Sequence, residues 1–251
     1  MISGIPNGYL TQKHKLRPSV EELFRAVRIG DQKLAADLIE AGTPLNEKGG
    51  QDEATAVMQA LAKKDMGMLR LLAKAGANLE IPDKYNRTPL YYVISEGSGQ
   101  EGYPPEALGI LLDAKADPNQ TEQRTGSSIL MHAASLNHVV AVNALLAKGA
   151  KIDAANNWNL TALSFAVRGH AQEAAMALMD AGARLDIINS DGRTLKQDAE
   201  YNDNRSIIPL IDAEEKNRPV RQLAKIGQFI KAGTTQRLVA PKRATFSKPA
   251  V

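Results

Sequence analysis

The chain has 251 residues, a formal net charge of +3, 4% aromatic residues and no cysteine. The missing cysteine excludes disulfides, thiolate metal sites and cysteine nucleophiles together and is compatible with a reducing compartment. No stretch approaches the roughly 18 to 20 apolar residues of a membrane-spanning helix, and so few aromatics require an interior of Ala, Leu, Val, Ile and Met, which suits thin helical layers.

Residues 1–17 carry Gly, Pro, Asn and a basic cluster (Lys13, His14, Lys15, Arg17) without periodicity, and read as an N-terminal arm. The arm lacks the basic-then-apolar order of a cleaved signal peptide, so a cytoplasmic protein is expected. From Pro18 onward a fixed period governs the chain, and such a period decides the fold class before local propensity does. Glu21, Thr55, Thr88, Ser128, Thr161 and Thr194 head six units, at steps of 34, 33, 40, 33 and 33 residues. Gly42, Gly76, Gly149 and Gly182 lie 21 residues after Glu21, Thr55, Ser128 and Thr161, each closing an Ala- and Leu-rich helical pattern.

Arg87-Thr88-Pro89-Leu90 at the head of a first helix, and Leu71-Leu72-Ala73-Lys74-Ala75-Gly76-Ala77-Asn78 at the foot of a second, resemble the ankyrin repeat. Leu145-Leu146-Ala147-Lys148-Gly149-Ala150 and Asp180-Ala181-Gly182-Ala183 follow the same pattern, and the resemblance covers roughly residues 20–215. Thr-Pro-Leu becomes Thr-Ala-Val at 55–57, Ser-Ile-Leu at 128–130 and Thr-Ala-Leu at 161–163, so the repeats are degenerate. The expected fold is an all-α ankyrin-repeat solenoid over residues 18–215, in units near 18–50, 51–82, 83–120, 121–153, 154–188 and 189–215. A basic segment, 216–251, follows it.

Within the units, Ser19 and Glu22 have capping-box spacing before Leu23, Ala26 and Val27. Gly30 ends the first helix and Asp31 is placed to cap the second, with Lys64-Asp65 the equivalent pair in unit two. Unit three carries an insertion within Glu96–Pro105: the glycine position of the pattern falls on Lys115, six residues late, so a loop with Tyr103 at its tip should bulge between the paired helices. A neutral insertion is the simpler account, because surface loops accept length at little cost. Asn137-His138 and Gly169-His170 occupy inter-helix turns. Unit six turns polar at Lys196, Gln197, Asp198 and Glu200, as the last unit of a stack requires. Pro219–Ala232 then reads as a helix stopped by Gly233, and the remainder as an extended tail.

No phosphate loop, His-Glu-x-x-His or paired cysteine is present, so neither catalysis nor a cofactor or metal is expected. His138 and His170 are assigned to turns. The sequons at Asn86 and Asn159 are read as structural. Each Asn stands where units four and six have Gly126 and Gly192, a turn position wanting a positive φ, and the Thr two residues on opens a helix.

The ankyrin resemblance implies a concave surface of turn tips and first-helix faces that recognises another protein. Its candidate residues are Lys84, Tyr85 and Arg87; Arg124 and Ser127; Leu136; Asn157, Trp158 and Leu160; Arg168; and Arg193. Trp158 weighs most, because Trp, Tyr and Arg dominate interface hot spots; the competing account has it folded back as a staple between repeats. Tyr92, His132 and Phe165 share one first-helix position that is expected to be half packed.

The family's range of uses suggests an adaptor, an inhibitor, or an immunity or effector-type protein, monomeric by itself. Residues 216–251 hold nine Lys or Arg and no Asp or Glu, leaving −6 on the rest of the chain. This asymmetry supports an alternative, a nucleic-acid or anionic-surface binder acting through a tail that includes Lys225, Arg237, Lys242 and Arg243.

Overall fold

A computed structural model describes residues 19–96 and 104–218 of the chain. Sequence readings for the N-terminal arm, for the insertion with Tyr103 and for everything after Arg218, including the 219–232 helix and the four tail cations, lie outside the described residues.

Each of the first five units folds as a pair of short helices, and the sixth opens with a single one. The pairs are α1 (Val20–Ile29) with α2 (Gln32–Glu40), α3 (Ala56–Ala62) with α4 (Met66–Lys74), and α5 (Pro89–Glu96) with α6 (Pro105–Asp113). They continue with α7 (Ile129–Ser135) and α8 (Val139–Ala147), α9 (Ala162–Arg168) and α10 (Gln172–Asp180), and finally α11 (Leu195–Tyr201). A 3-10 turn at Arg205–Ile207 follows α11. The chain divides into two compact units at Ile208 and Pro209, and of the second unit residues 209–218 are described, all helical, with Arg218 Nε 3.6 Å from Glu214.

The helices start where hydroxyl and carboxylate caps dictate. Ser19, Thr55, Ser128, Thr161 and Thr194 each accept a backbone N–H from the first turn of α1, α3, α7, α9 and α11, and Asp31 and Asp65 do so for α2 and α4. In α1 the Ser19 hydroxyl itself donates to Glu21 Oε2 at 3.1 Å, not to Glu22. Left-handed residues close the second helices: Gly42, Gly76, Gly149 and Gly182 have φ of 87°, 83°, 89° and 96°. Lys115 takes that position in unit three with φ 68°, where the sequence pattern placed it. The inter-helix turns reuse the same backbone at Gly30, Lys64, Asn137, His170 and Asp203, so His170 is a turn residue, its Nε2 3.0 Å from the Asn202 carbonyl oxygen.

First helices stack on first helices and second on second, because each pair has apolar flanks that only its neighbours cover. Ala26, Ala60, Ala133, Ala166 and Ala199, all 0% exposed, occupy one equivalent buried position of the first helices, with Val93 in unit three. Leu38, Leu72, Leu111, Leu145 and Leu178 form the equivalent buried line of the second helices. Side chains also bind repeat to repeat. Asn46, Glu80, Asn119 and Asp153 each accept the backbone N–H of the next unit, from Asn78, Asp117, Lys151 and Arg184.

Candidate interaction surface and the cavity beside it

The tips that precede the first helices are tight hairpins built on an Asx turn. Asp83 Oδ1 accepts from the N–H groups of Tyr85 and Arg87; Asn156 does the same for Trp158 and Leu160, and Asn189 for Asp191 and Arg193. At the crest, Asn86 and Asn159 have φ of 60° and 53°, matching Gly126 and Gly192 at 69° and 77°. Their structural role is as the sequence suggested.

Neighbouring hairpins are zipped together. Lys84 N–H donates to the Asp52 carbonyl, Asn157 N–H to the Thr125 carbonyl, and Ser190 N–H to the Trp158 carbonyl. The Trp158 backbone ties hairpin five to hairpin six and to Asn156, while its side chain remains 48% exposed.

Tyr85 is 59% exposed and held between two cations, with Lys84 Nζ 4.9 Å and the Arg87 guanidinium 4.8 Å from its ring centre. Arg87 also lies 4.9 Å from the Tyr92 ring and pairs with the buried Asp83 at 2.7 Å. Arg124 and Asn157 are exposed, although Asn157 Nδ2 donates to the Arg124 carbonyl, and Leu136 stands at the end of α7 with 38% of its surface free. Tyr92, His132 and Phe165 are half-buried.

Three of the candidates fall elsewhere. Leu160 is 4% exposed and Ser127 3%, because in hairpins four and five the residue before the helix cap turns inward; Ser127 Oγ there accepts from Asn156 Nδ2. Arg168 is engaged with Asp198, Nε to Oδ2 at 2.6 Å and Nη2 to Oδ1 at 2.8 Å. Asp198 was read as part of a polar outer face, yet it is 2% exposed and also receives Asn189 Nδ2 at 3.2 Å, with Arg193 Nη1 3.7 Å away. The carboxylate raises the Arg168 pKa, which is the mark of a committed pair. Arg193 divides itself between Asp191 at 3.1 Å and the face of Tyr201 at 3.8 Å.

The step of 40 residues between Thr88 and Ser128 splits in two. Six extra residues precede Lys115; a seventh lies in the fourth hairpin, whose closing bond runs from Glu122 N–H to the Ser127 carbonyl instead of spanning four residues as at Asp83–Arg87, Asn156–Leu160 and Asn189–Arg193. Glu122 stands at the Asx position and does not cap the turn; Thr125 Oγ1 takes over, accepting from Ser127 N–H and donating to Glu122. No backbone bond equivalent to the other zips joins hairpins three and four among the described residues. Between them opens a cavity of about 440 Å3 lined by Glu80, Tyr85, Tyr91, Gln120, Glu122 and His132, among others. Sequence reasoning missed this cavity, and residue counts do not signal it: Lys115 to Ser128 is one longer than Gly149 to Thr161, but so is Gly42 to Thr55, whose hairpin is zipped to the next through Asp52.

The comparisons with known proteins accord with this architecture. A family profile for ankyrin repeats in three copies matches residues 98–191. The crystal structure of an ankyrin repeat domain from Acinetobacter baumannii superposes with a TM-score of 0.65 at 27% identity, covering 77% of this chain and 97% of that one. This is an ankyrin-repeat protein. A putative ankyrin repeat protein of Rickettsia bellii is 27% identical over 153 residues, 60% of this chain and 79% of its own length. Protein HOS4 of Saccharomyces cerevisiae is 30% identical over 73 residues, 29% of this chain and only 7% of the yeast protein. The ankyrin array is a protein–protein interaction scaffold. Among the described residues no helix is long and apolar enough to cross a membrane.

Proposed function

We propose that this ankyrin-repeat protein acts without catalysis of its own, binding a partner protein across the tips of hairpins three to five, with Trp158 and Tyr85 as anchors and Lys84, Arg124 and Leu136 around them. The observation that carries the reading is the pairing of exposure with rigidity. Trp158 is 48% and Tyr85 59% exposed, yet each stands on a hairpin held by an Asx turn and by a backbone bond to a neighbouring hairpin. Large aromatic surfaces on a fixed backbone lose little entropy when they are covered, which is the situation of interface hot spots. Such a role suits an adaptor, inhibitor or immunity-type protein, monomeric by itself. The cytoplasm is its natural setting, in keeping with a chain devoid of cysteine.

Capture of a partner from native lysate tests this. Wild type, the Trp158→Ala/Arg124→Ala double variant and a chain ending at Glu215 are compared. Loss only with the double variant supports the hairpin surface. Loss only on shortening transfers the function to the basic tail, where capture should weaken steeply with added salt if phosphates are the target.

A further inference from the structure

Hairpins three and four are the one adjoining pair among the described hairpins that no backbone bond zips together, and the cavity of about 440 Å3 lies in the gap. Its walls are partly aromatic: Tyr85 at the mouth and Tyr91, whose ring meets that of His132 edge-on at 5.0 Å. Two polar atoms of the lining, Gln120 Nε2 and His132 Nε2, are buried without a hydrogen-bond partner in the protein. The other end of the Gln120 amide is engaged, Oε1 taking the Thr88 hydroxyl. Buried polar groups almost always find a partner, so these two define what the cavity is fitted to receive.

Charge narrows the choice. Glu80 and Glu122 line the space, and Arg87 is already committed to Asp83 at 2.7 Å, so an entering carboxylate would meet its own sign. Burial lowers the His132 pKa, with Glu122 opposing, so the imidazole is neutral and offers a carboxylate no cation. Burial likewise raises the Glu80 pKa, opposed by the backbone N–H of Asp117 and by the Gln120 side chain that lies beside the carboxylate without closing a hydrogen bond of normal geometry. An ammonium or guanidinium brings donors only and leaves Gln120 Nε2 unsatisfied. An apolar group satisfies neither atom. A carboxamide carries one acceptor and one donor arm, and so answers both atoms together when Gln120 presents its Nε2 and the His132 ring carries its proton on Nδ1.

We propose that this cavity receives a carboxamide from the partner, the side chain of an Asn or Gln or a main-chain peptide group, its carbonyl accepting from Gln120 Nε2 and its N–H donating to His132 Nε2. The inference rests on the hairpin tips being the partner-binding surface, since Tyr85 belongs to both, and it states what the partner must present beside the Trp158 anchor.

The test uses the full chain with labelled histidine, following the imidazole resonances of His132 against those of His14, His138 and His170. The probes are N-acetyl-glutamine methylamide, its glutamate analogue, its alanine analogue as a bare peptide group, and ethylguanidinium. His132 should shift and saturate with the glutamine probe at about tenfold lower concentration than with the glutamate probe or ethylguanidinium, the difference one unpaired polar group makes. An equal response to the alanine probe would assign the site to main-chain amide; a weaker one would assign it to the side chain. Gln120→Leu should abolish the response while the His132–Tyr91 ring contact keeps its signature. Equal responses to the glutamate or guanidinium probe, or a His132 resonance that no probe moves, would overturn the proposal. Failure of the surface reading shows separately, as partner capture untouched by Trp158→Ala/Arg124→Ala.

Discussion

Replacing Asp198 by Ala removes the one buried carboxylate around which the last described repeats are organised. The carboxylate is 2% exposed and receives two charge-assisted bonds from Arg168 and one from Asn189. Breaking a buried pair by deleting one partner costs about 3–5 kcal/mol when the survivor stays dry. The Arg168 side chain keeps 31% of its surface, so water recovers part of its solvation and the expected loss is about 2–3 kcal/mol. Arg168→Ala should lose a similar amount, because Asp198 would keep only Asn189 and the more distant Arg193, whereas Arg168→Met with Asp198→Leu should regain most of it. The loss should be local, since each repeat is held by its neighbours alone. Urea unfolding gives the magnitude, and amide hydrogen exchange should place the loss of protection in α9 and α11, leaving α3 and α4 unchanged. A stability within about 0.5 kcal/mol of wild type for Asp198→Ala would refute the reasoning. Weakened partner capture by Arg168→Ala at full stability would return that residue to the binding surface.

Lys115→Gly should stabilise the array by about 0.5–1 kcal/mol in urea melts, because Lys holds φ 68° at a position where four other repeats use Gly; no change would mean that its side chain recovers the backbone cost. Gly169→Ala should destabilise by about 1–3 kcal/mol, since a Cβ there would lie 2.6 Å from the Ser135 carbonyl oxygen, a backbone atom of the preceding repeat. An unchanged melting temperature would show that α7 and α9 can separate without loss. For His132 the folded pKa lies below its ordinary 6.5, so the unfolded chain binds more protons. Its contribution to stability is complete above about pH 6.5 and declines as the pH falls through that value toward the folded pKa. Stability measured from pH 7 to pH 5 should therefore fall more steeply for wild type than for His132→Gln, and parallel curves would remove the imidazole as the cause.

The helices and their register were legible in the sequence because the features that set them are local. A Ser or Thr accepting the N–H three residues on, an Asp doing the same for a second helix, and a left-handed residue at Gly42, Gly76 or Lys115 act within a few residues of themselves. A 33-residue period repeats those instructions until they become unmistakable. Exposure at the tips was legible too for Tyr85 and Trp158, which the hairpin crest carries outward whatever the neighbours are.

Only the tertiary structure decided where the ends of long polar side chains go. Arg168 and Asp198 are 30 residues apart and meet because stacking sets α11 beside α9, so a cation that looked available on one repeat is spent on the next. Leu160 and Ser127 pass from the tip to the interior because the chain turns at the residue before the helix. The gap between hairpins three and four is a relation between two repeats, which one-dimensional periodicity does not record. Sequence determined the unit and its repetition, which depend on short-range backbone chemistry; the stacked structure determined which polar groups are paired, buried or left facing a cavity, because pairing is a property of neighbours in space.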